Sequence, residues 1–577
     1  MTELESLKES IIRERERREA FSETVLMSLI REGEHWQAVE NLFFFTAPDR
    51  FLSQAGMLLQ DIGVGFRRDD ARSRERYLRF LVDLTLALRS FLPRWNLQNT
   101  DHYGDAALTD AQIEAEADKV QALVVELAAH SMTTVKKLLD EWRKETSARF
   151  EAEGVSDPEG EAKAFAGKSI GAYLDNAAGA VSRSHLRRIA EMRDAGQATT
   201  ELSNDYAAFL KYTLYLGASF ATTNPPLVDA AWLAEPERWN PIVDNIISDN
   251  PDASDDELAR LVTLEVVLEN MRLLRPIFLL SEGKMGCVCC QVNPNRHDDA
   301  ETMIADALFF YEKLQGELDG GIPNVVFKLP GTKSGLDACY ALTKQAIGVT
   351  ITVNFGMFQH LPFIQAIHEG QAIFACLVEM SGRLAFPVRY EMLSKLDELA
   401  ACGIDEARAR EAAAWSGIAV LKRLYSLLME KGYDLGRIKP LVASLRIYEG
   451  DSYQDLPNAF PDITEILGAS ILSVFPNIRR PFDAQPEIEL DPRRIESPMP
   501  DDVMEILAHS EIFKQAYYVS DRNWIPEGDK LFQPDYELTL QDEEGTTAWT
   551  PVYDTLTQFC DSYDTFVQRI LARKRSA

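Results

Sequence analysis

Residues 324–354 read NVVFKLPGTKSGLDACYALTKQAIGVTITVN. Two short apolar runs, Asn324–Leu329 and Gly348–Asn354, flank a helical pattern at Gly335–Ala346. Strand, helix, strand is the repeating unit of a parallel sheet, because consecutive parallel strands need a crossover of roughly a dozen or more residues. The same alternation continues on both sides. Before this unit stand the runs Thr200–Ser203, Ala218–Thr223 and Gly286–Val292. After it stand Ala372–Val378, Pro440–Leu445 and Ala469–Phe475. Helical patterns at Asp299–Leu318, Phe358–Glu369 and Ala407–Lys431 separate several of them. Eight strands alternating with helices predict an α/β fold, a closed parallel (β/α)₈ barrel over residues 196–480. A doubly wound sheet is the competitor, and no G-x-G-x-x-G follows the first strand to support it.

The flanks read differently. Residues 1–195 lack strand alternation and carry helical patterns at Leu4–Arg18, Glu23–Phe45, Arg74–Leu92, Ala111–Arg149 and Ala162–Ala195. Leu97–Gly104 and Gly154–Gly160 read as loops. This predicts an all-α N-terminal domain, accessory to the barrel. His35, His102, His130 and His185 are scattered through it as surface or packing residues. Residues 481–577 read as acidic loops, a polar hairpin or irregular loop at Gly528–Trp549, and a final helix, Val552–Lys574, packed on the barrel.

Composition narrows the function classes. Acidic residues number 91 against 60 basic ones, a formal net charge of −31. That field repels a phosphate backbone and argues against a nucleic-acid partner, while leaving room for a local basic pocket. The seven cysteines include Cys287, Cys289 and Cys290 on one apolar run. This is no disulfide framework, and no second pair follows at zinc-finger spacing, so buried strand cysteines in a reducing compartment are expected. The opening MTELESLKESIIRERERREAF has no apolar core of a signal peptide, and no apolar run reaches the roughly eighteen residues of a membrane span. The expected location is the cytoplasm, with no membrane partner.

In barrel enzymes the chemistry sits at the C-terminal ends of the strands. The run beginning at Asn324 ends near Lys328. Period-two alternation puts Val326 and Lys328 on one face and Val325, Phe327 and Leu329 on the other. The second face suits helices, so Lys328 would point into the barrel. A lysine there loses hydration, its pKa falls, and a neutral amine can attack a ketone to form an imine. The competing reading is a lysine paired with a carboxylate or turned outward at the strand end.

Asn324–Gly335, NVVFKLPGTKSG, resembles the transaldolase strand that ends in the Schiff-base lysine and runs into a Lys-x-x-x-Thr-x-x-Gly turn. Ala221–Leu227, ATTNPPL, resembles the Thr-Thr-Asn-Pro signature after the second strand, and Val349–Gln359, VTITVNFGMFQ, the fifth strand and following helix. Val442–Arg446, VASLR, resembles the seventh-strand phosphate motif, and Ile471–Ile478, ILSVFPNI, the last strand. The resemblance is to the transaldolase and fructose-6-phosphate aldolase superfamily of class I aldolases, and covers about residues 198–577. It implies a TIM barrel, imine chemistry at Lys328, no metal or organic cofactor, and sugar phosphate substrates of carbohydrate metabolism such as the pentose phosphate pathway.

Residue by residue, the resemblance gives Thr352 the role of holding a catalytic water and Asn224 that of binding substrate hydroxyls. Ser444, Arg446 and Arg383 become phosphate binders. Barrel packing, a turn before Pro225 and salt bridges at the barrel mouth are the respective alternatives. Gln291 stands where transaldolases carry a catalytic Glu, as in fructose-6-phosphate aldolases, and can orient a water without acting as a base. Thr350 replaces an Asn and Val378 a Ser in the donor pocket. On the first strand Asp205 aligns with a second acid, leaving Leu202 at the position of the catalytic Asp. Asn354, also assigned to substrate binding, His360 and Glu379 are then the candidates for proton transfer.

The expected activity is transfer of a dihydroxyacetone-type unit between sugar phosphates. The alternatives are an aldolase-like lyase without transfer, and an altered barrel with an interaction or regulatory role. The sequence identifies no partner for the N-terminal helices and leaves homo-oligomerisation open.

Overall fold

The computed structural model describes residues 2–92, 96–318, 320–520, 532–533 and 538–576. The side chain of His102, and residues 528–531 and 534–537 of the expected polar hairpin, lie outside it. Eight parallel strands close into a barrel in sequence order. They are β1 (Glu201–Asn204), β2 (Ala218–Ala221), β3 (Cys287–Gln291), β4 (Val325–Pro330), β5 (Gly348–Thr352), β6 (Ala375–Glu379), β7 (Ile438–Val442) and β8 (Ile471–Val474). Their side chains are almost all buried, as expected when helices cover the outside and other strands fill the inside. Phe327, on the helix-facing side of β4, is fully buried, which stabilises the strand by roughly 1.5–3 kcal/mol.

The lumen is filled by side chains that meet across non-neighbouring strands. Lys439 of β7 donates to Glu201 of β1, and Ser219 of β2 donates to the same carboxylate at 2.9 Å. The Lys439 ammonium also lies 4.8 Å from the Phe374 ring, which stacks on Phe220. This layer plugs the N-terminal end. Higher up, the Cys289 thiol donates to the Thr350 hydroxyl at 3.5 Å across the lumen. The cysteines of the Cys287–Cys290 run are free and buried. Burial pushes their thiols upward, to about 11 for Cys289, so they stay protonated and unreactive.

Residues before β1 form helices throughout, several shorter than the sequence suggested. Glu23–Phe45 breaks at Gly33, whose φ of 103° ends a helix that resumes at His35. Ala111–Arg149 divides at His130 into Asp110–Ala129 and Met132–Ala152. Pro48–Arg68 is a helix outside the helical patterns of the sequence, and the expected loops contain Thr100–Tyr103 and the start of Pro158–Ala166. The N-terminal helices are bonded to the barrel: Glu14 pairs with the buried Arg275 of helix Asp255–Leu280. The C-terminal region is more helical than expected, with Asp501–Leu507, Glu511–Tyr517 and Glu543–Ala548 preceding the long helix Thr550–Ser576. Among the described residues no helix is long and apolar enough to cross a membrane.

Candidate active site

The ends of β4 and β5 are fastened together by one side chain. Gln359 donates to the carbonyls of Gly331, at 2.7 Å, and Val353, at 3.0 Å, and accepts from the Phe355 amide at 3.0 Å. Val353 is held at φ 54°, a conformation that a β-branched residue rarely adopts. Gly331 leaves room for this clamp, since a Cβ there would meet Gln359 and the Val353 carbonyl at 2.8 Å. The turns that carry Lys328 and Thr352 are therefore fixed. Thr332 caps the helix Lys333–Thr343 by accepting from the Gly335 amide at 3.1 Å.

Lys328 is buried and lines a cavity of about 540 Å³ at the C-terminal mouth of the barrel. Among the described residues it makes no hydrogen bond and no ion pair. Burial lowers its pKa below the ordinary lysine range. Nearby Cys289 and Asp205 oppose the shift and Arg383 adds to it. The group is thus an amine pushed toward its neutral form and open to a ligand-sized space.

Thr350 and Thr352 line the same cavity, on the inward face of β5. Among the described residues the Thr352 hydroxyl bonds only to the Met380 sulfur, at 3.7 Å, a weak acceptor that leaves it available to a water. Asn224 lines the cavity as well, and its Oδ1 caps helix Pro225–Ala234 by accepting from the Leu227 amide at 2.9 Å. The turn reading of Asn224 therefore holds in the structure, and the amide nitrogen of the same side chain stays available.

At the other end stand Arg383, Ser444 and Arg446. Neither arginine has a carboxylate partner among the described residues, so the salt-bridge reading is set aside. Among the described residues the Arg446 guanidinium donates to the carbonyls of Ser444 and Leu445, each at 3.0 Å, and that of Arg383 to Gln558. Burial, with the repulsion of Arg446, lowers the Arg383 pKa to about 10, while Asp205 opposes the shift. Two guanidinium groups that repel each other and have no ion-paired carboxylate among the described residues make a site for an anion. The turn beneath them is built for close approach: Ser444 has φ 59°, and a Cβ on Gly382 would lie 2.3 Å from the Ser444 carbonyl. Asp462 holds that turn by accepting from the Arg446 amide at 2.9 Å and the Ser381 hydroxyl at 2.5 Å.

Two expected site residues do not face this cavity. Gln291 pairs in register with Lys328 but lines a small neighbouring crevice, where its Oε1 has no partner. Asn354 is fully buried outside the cavity and donates to His360 Nδ1 at 3.0 Å. The opposite nitrogen of that ring, Nε2, lies 3.2 Å from Glu379. Burial holds His360 at about 3 and raises Glu379 well above the usual carboxylate range, so it favours the neutral form of both groups. This closed chain does not reach the cavity, which removes its members as proton-transfer groups.

The acid at the cavity is Asp205. It lines the mouth just beyond β1, accepts from the Thr222 hydroxyl, and contributes to the field at Lys328. Leu202, by contrast, is core. The sequence alignment puts Asp205 at a second acid and Leu202 at the position of the catalytic Asp, and of these two only Asp205 reaches the cavity. The pairing of β1 with β2 shifts register between Leu202 and Ser203, and such an irregularity changes which residue emerges at the strand end.

Sequence reasoning also missed the wall supplied by the C-terminal helix. Gln558, Phe559 and Ser562 occupy one helical face and line the cavity. The Phe559 ring lies 5.7 Å from the Lys328 ammonium and 5.4 Å from the Arg383 guanidinium. The helix is anchored through Arg569 to Asp229, Arg573 to Asp244 and Tyr563 to Asp256.

A family model described as Transaldolase/Fructose-6-phosphate aldolase matches residues 203–473. A transaldolase of Kocuria rhizophila is 31% identical over 149 residues, 26% of this chain and 38% of that one. Transaldolase 1 of Streptomyces avermitilis is 29% identical over 160 residues, covering 27% and 40%. A transaldolase of Frankia alni is 28% identical over 229 residues, covering 38% and 58%. The chain thus spans less than two thirds of the length of these relatives, and the family model's match lies within the barrel.

Proposed function

We propose a function from one premise: the barrel of this chain belongs to the transaldolase/fructose-6-phosphate aldolase family. The proposed activity is transfer of a dihydroxyacetone-type three-carbon unit between sugar phosphates through an imine on Lys328. The observation that carries it is the buried, unpaired Lys328 amine on a cavity that ends in two uncompensated arginines.

Lys328 attacks the donor's ketone, loss of water leaves the imine, and the imine serves as electron sink when the carbon–carbon bond breaks. Asp205 accepts the proton of the substrate hydroxyl whose carbon leaves as the aldehyde. Thr352 orients the water that enters and leaves. Arg383, Ser444 and Arg446 hold the phosphate and so fix the reacting end against Lys328, where remote binding energy becomes orientation. Phe559 and the rest of the helix wall limit water around the carbanion.

A second reading, aldol cleavage without transfer, is favoured by Gln291. That residue lies beside the site and brings no second carboxylate to it. Initial rates with a ketose phosphate donor, with and without an acceptor aldehyde phosphate, separate the two. Turnover that depends on the acceptor supports transfer. Equal release of aldehyde without acceptor contradicts it and supports the lyase.

A further inference from the structure

A second cavity of about 540 Å³ lies where the N-terminal helices meet the end of the barrel. Arg149, Arg183, Arg479 and Arg480 line it. The first and third of these are buried, and both bind the same carboxylate. Glu153 accepts from Arg149 at 3.0 Å and Arg479 at 2.8 Å, and its other oxygen accepts from Arg480 at 3.4 Å. One buried carboxylate thus answers three guanidinium groups. Glu161, on the exposed rim, also pairs with Arg480. Asp483 is engaged elsewhere, accepting from the Ser184 hydroxyl at 2.9 Å and the His185 amide at 2.7 Å. Arg183 is exposed, and its guanidinium has no hydrogen bond or ion pair among the described residues.

The walls are aromatic. The Tyr212 ring sits between the guanidinium groups of Arg149, at 3.9 Å, and Arg479, at 5.1 Å. Phe150 and Phe165 complete the lining. In a chain of net charge −31, a cleft whose four guanidinium groups outnumber its three carboxylates by one is a selective place for an anion.

The cleft is also wired to the catalytic cavity. Helix Pro476–Asp483, which follows β8, presents Asn477 and Ile478 to the catalytic cavity and Arg479, Arg480 and Asp483 to the second one. Tyr212 belongs to helix Leu210–Tyr215, which follows the turn that carries Asp205. We propose that this cleft is an effector site for a small phosphorylated molecule, bound between Arg183, Arg479 and Arg480 and coupled to the catalytic cavity through helix Pro476–Asp483. The phosphoryl oxygens take the guanidinium donors that Glu153 leaves unanswered, and binding stiffens a helix that both cavities share.

The test is calorimetric titration of the full chain with inorganic phosphate in an Arg383→Ala/Arg446→Ala background, which removes the guanidinium groups of the catalytic cavity. One phosphate site is expected to remain. Adding Arg183→Ala and Arg480→Ala is expected to weaken it about tenfold or more. Phosphate should slow amide exchange of residues 476–484 only in the protein that keeps those two arginines. Absence of phosphate binding in the background protein overturns the proposal, as does binding that the second pair of substitutions leaves unchanged. If thermal melting shows the background protein to be poorly folded, Arg183→Ala/Arg480→Ala is made in the otherwise unaltered chain. Loss of one of two phosphate sites is then expected, and an unchanged number overturns the proposal.

Discussion

Two lysines project into the same barrel and meet opposite surroundings. Lys439, at the N-terminal end, donates to the Glu201 carboxylate and, at 2.7 Å, to the Lys284 carbonyl. Lys328, at the C-terminal mouth, has neither kind of acceptor among the described residues and opens on the cavity. The first charge is neutralised and serves as mortar. The second is left with its desolvation unanswered, and that is what turns an ammonium into a usable amine. One scaffold therefore separates structure from chemistry by where it places carboxylates.

The comparison breaks most visibly under the same substitution at each position. Lys328→Met is expected to lower sugar phosphate turnover by roughly 10⁴-fold or more, because a lost nucleophile has no substitute. Steady-state rates read this, and activity within tenfold of wild type sinks the assignment. Lys439→Met acts on stability instead. It strands the buried Glu201 and should cost about 3–5 kcal/mol in urea denaturation, with turnover per folded molecule kept near wild type.

Asp205→Asn sharpens the contrast. It should reduce carbon–carbon cleavage by roughly 10²-fold or more, the usual worth of a placed acid–base group, while imine formation with the donor survives. The same change removes a negative charge that favours the Lys328 ammonium, so the pH at which imine formation reaches half its maximal rate should fall. A rise would contradict the electrostatic account. Arg446→Ala is a smaller effect. It should raise KM for a phosphorylated donor by roughly 10-fold or more, the loss of one charge-assisted contact, and barely alter KM for an unphosphorylated one.

The smallest effect is on stability. The folded state holds Lys328 below the pKa of about 10.4 that it has when unfolded. The folded chain therefore disfavours the charge at neutral pH, and this penalty fades as pH rises through the ordinary lysine range. Lys328→Met should melt a little higher than wild type at pH 7, by roughly 1 kcal/mol of stability, and the difference should close toward pH 11. A lower melting point at pH 7 would contradict the burial argument.

The same contrast explains what could be read from sequence. All eight strands announce themselves because parallel strands buried on both faces are apolar runs. The expected β7, Pro440–Leu445, lies two to three residues late against the observed Ile438–Val442. Lys439 reads as polar and outside the strand, and only its partner Glu201, far away in the chain, makes it an interior residue. Lys328 and the arginines were legible through local motifs. Asp205 was legible only as an aligned second acid, and its place on the cavity was not, because a register shift in β1 has no local signature. Gln558 and Phe559 were not, because a helix remote in sequence closes over the mouth, and its placement depends on ion pairs such as Arg573 with Asp244.

Borohydride trapping is the most direct measurement. The chain is incubated with a panel of ketose phosphates, reduced, digested and mapped by mass spectrometry. A reduced adduct on Lys328, absent in Lys328→Met and never found on Lys439, is the predicted result. A donor that is turned over without any adduct, or an adduct on another lysine, would contradict it.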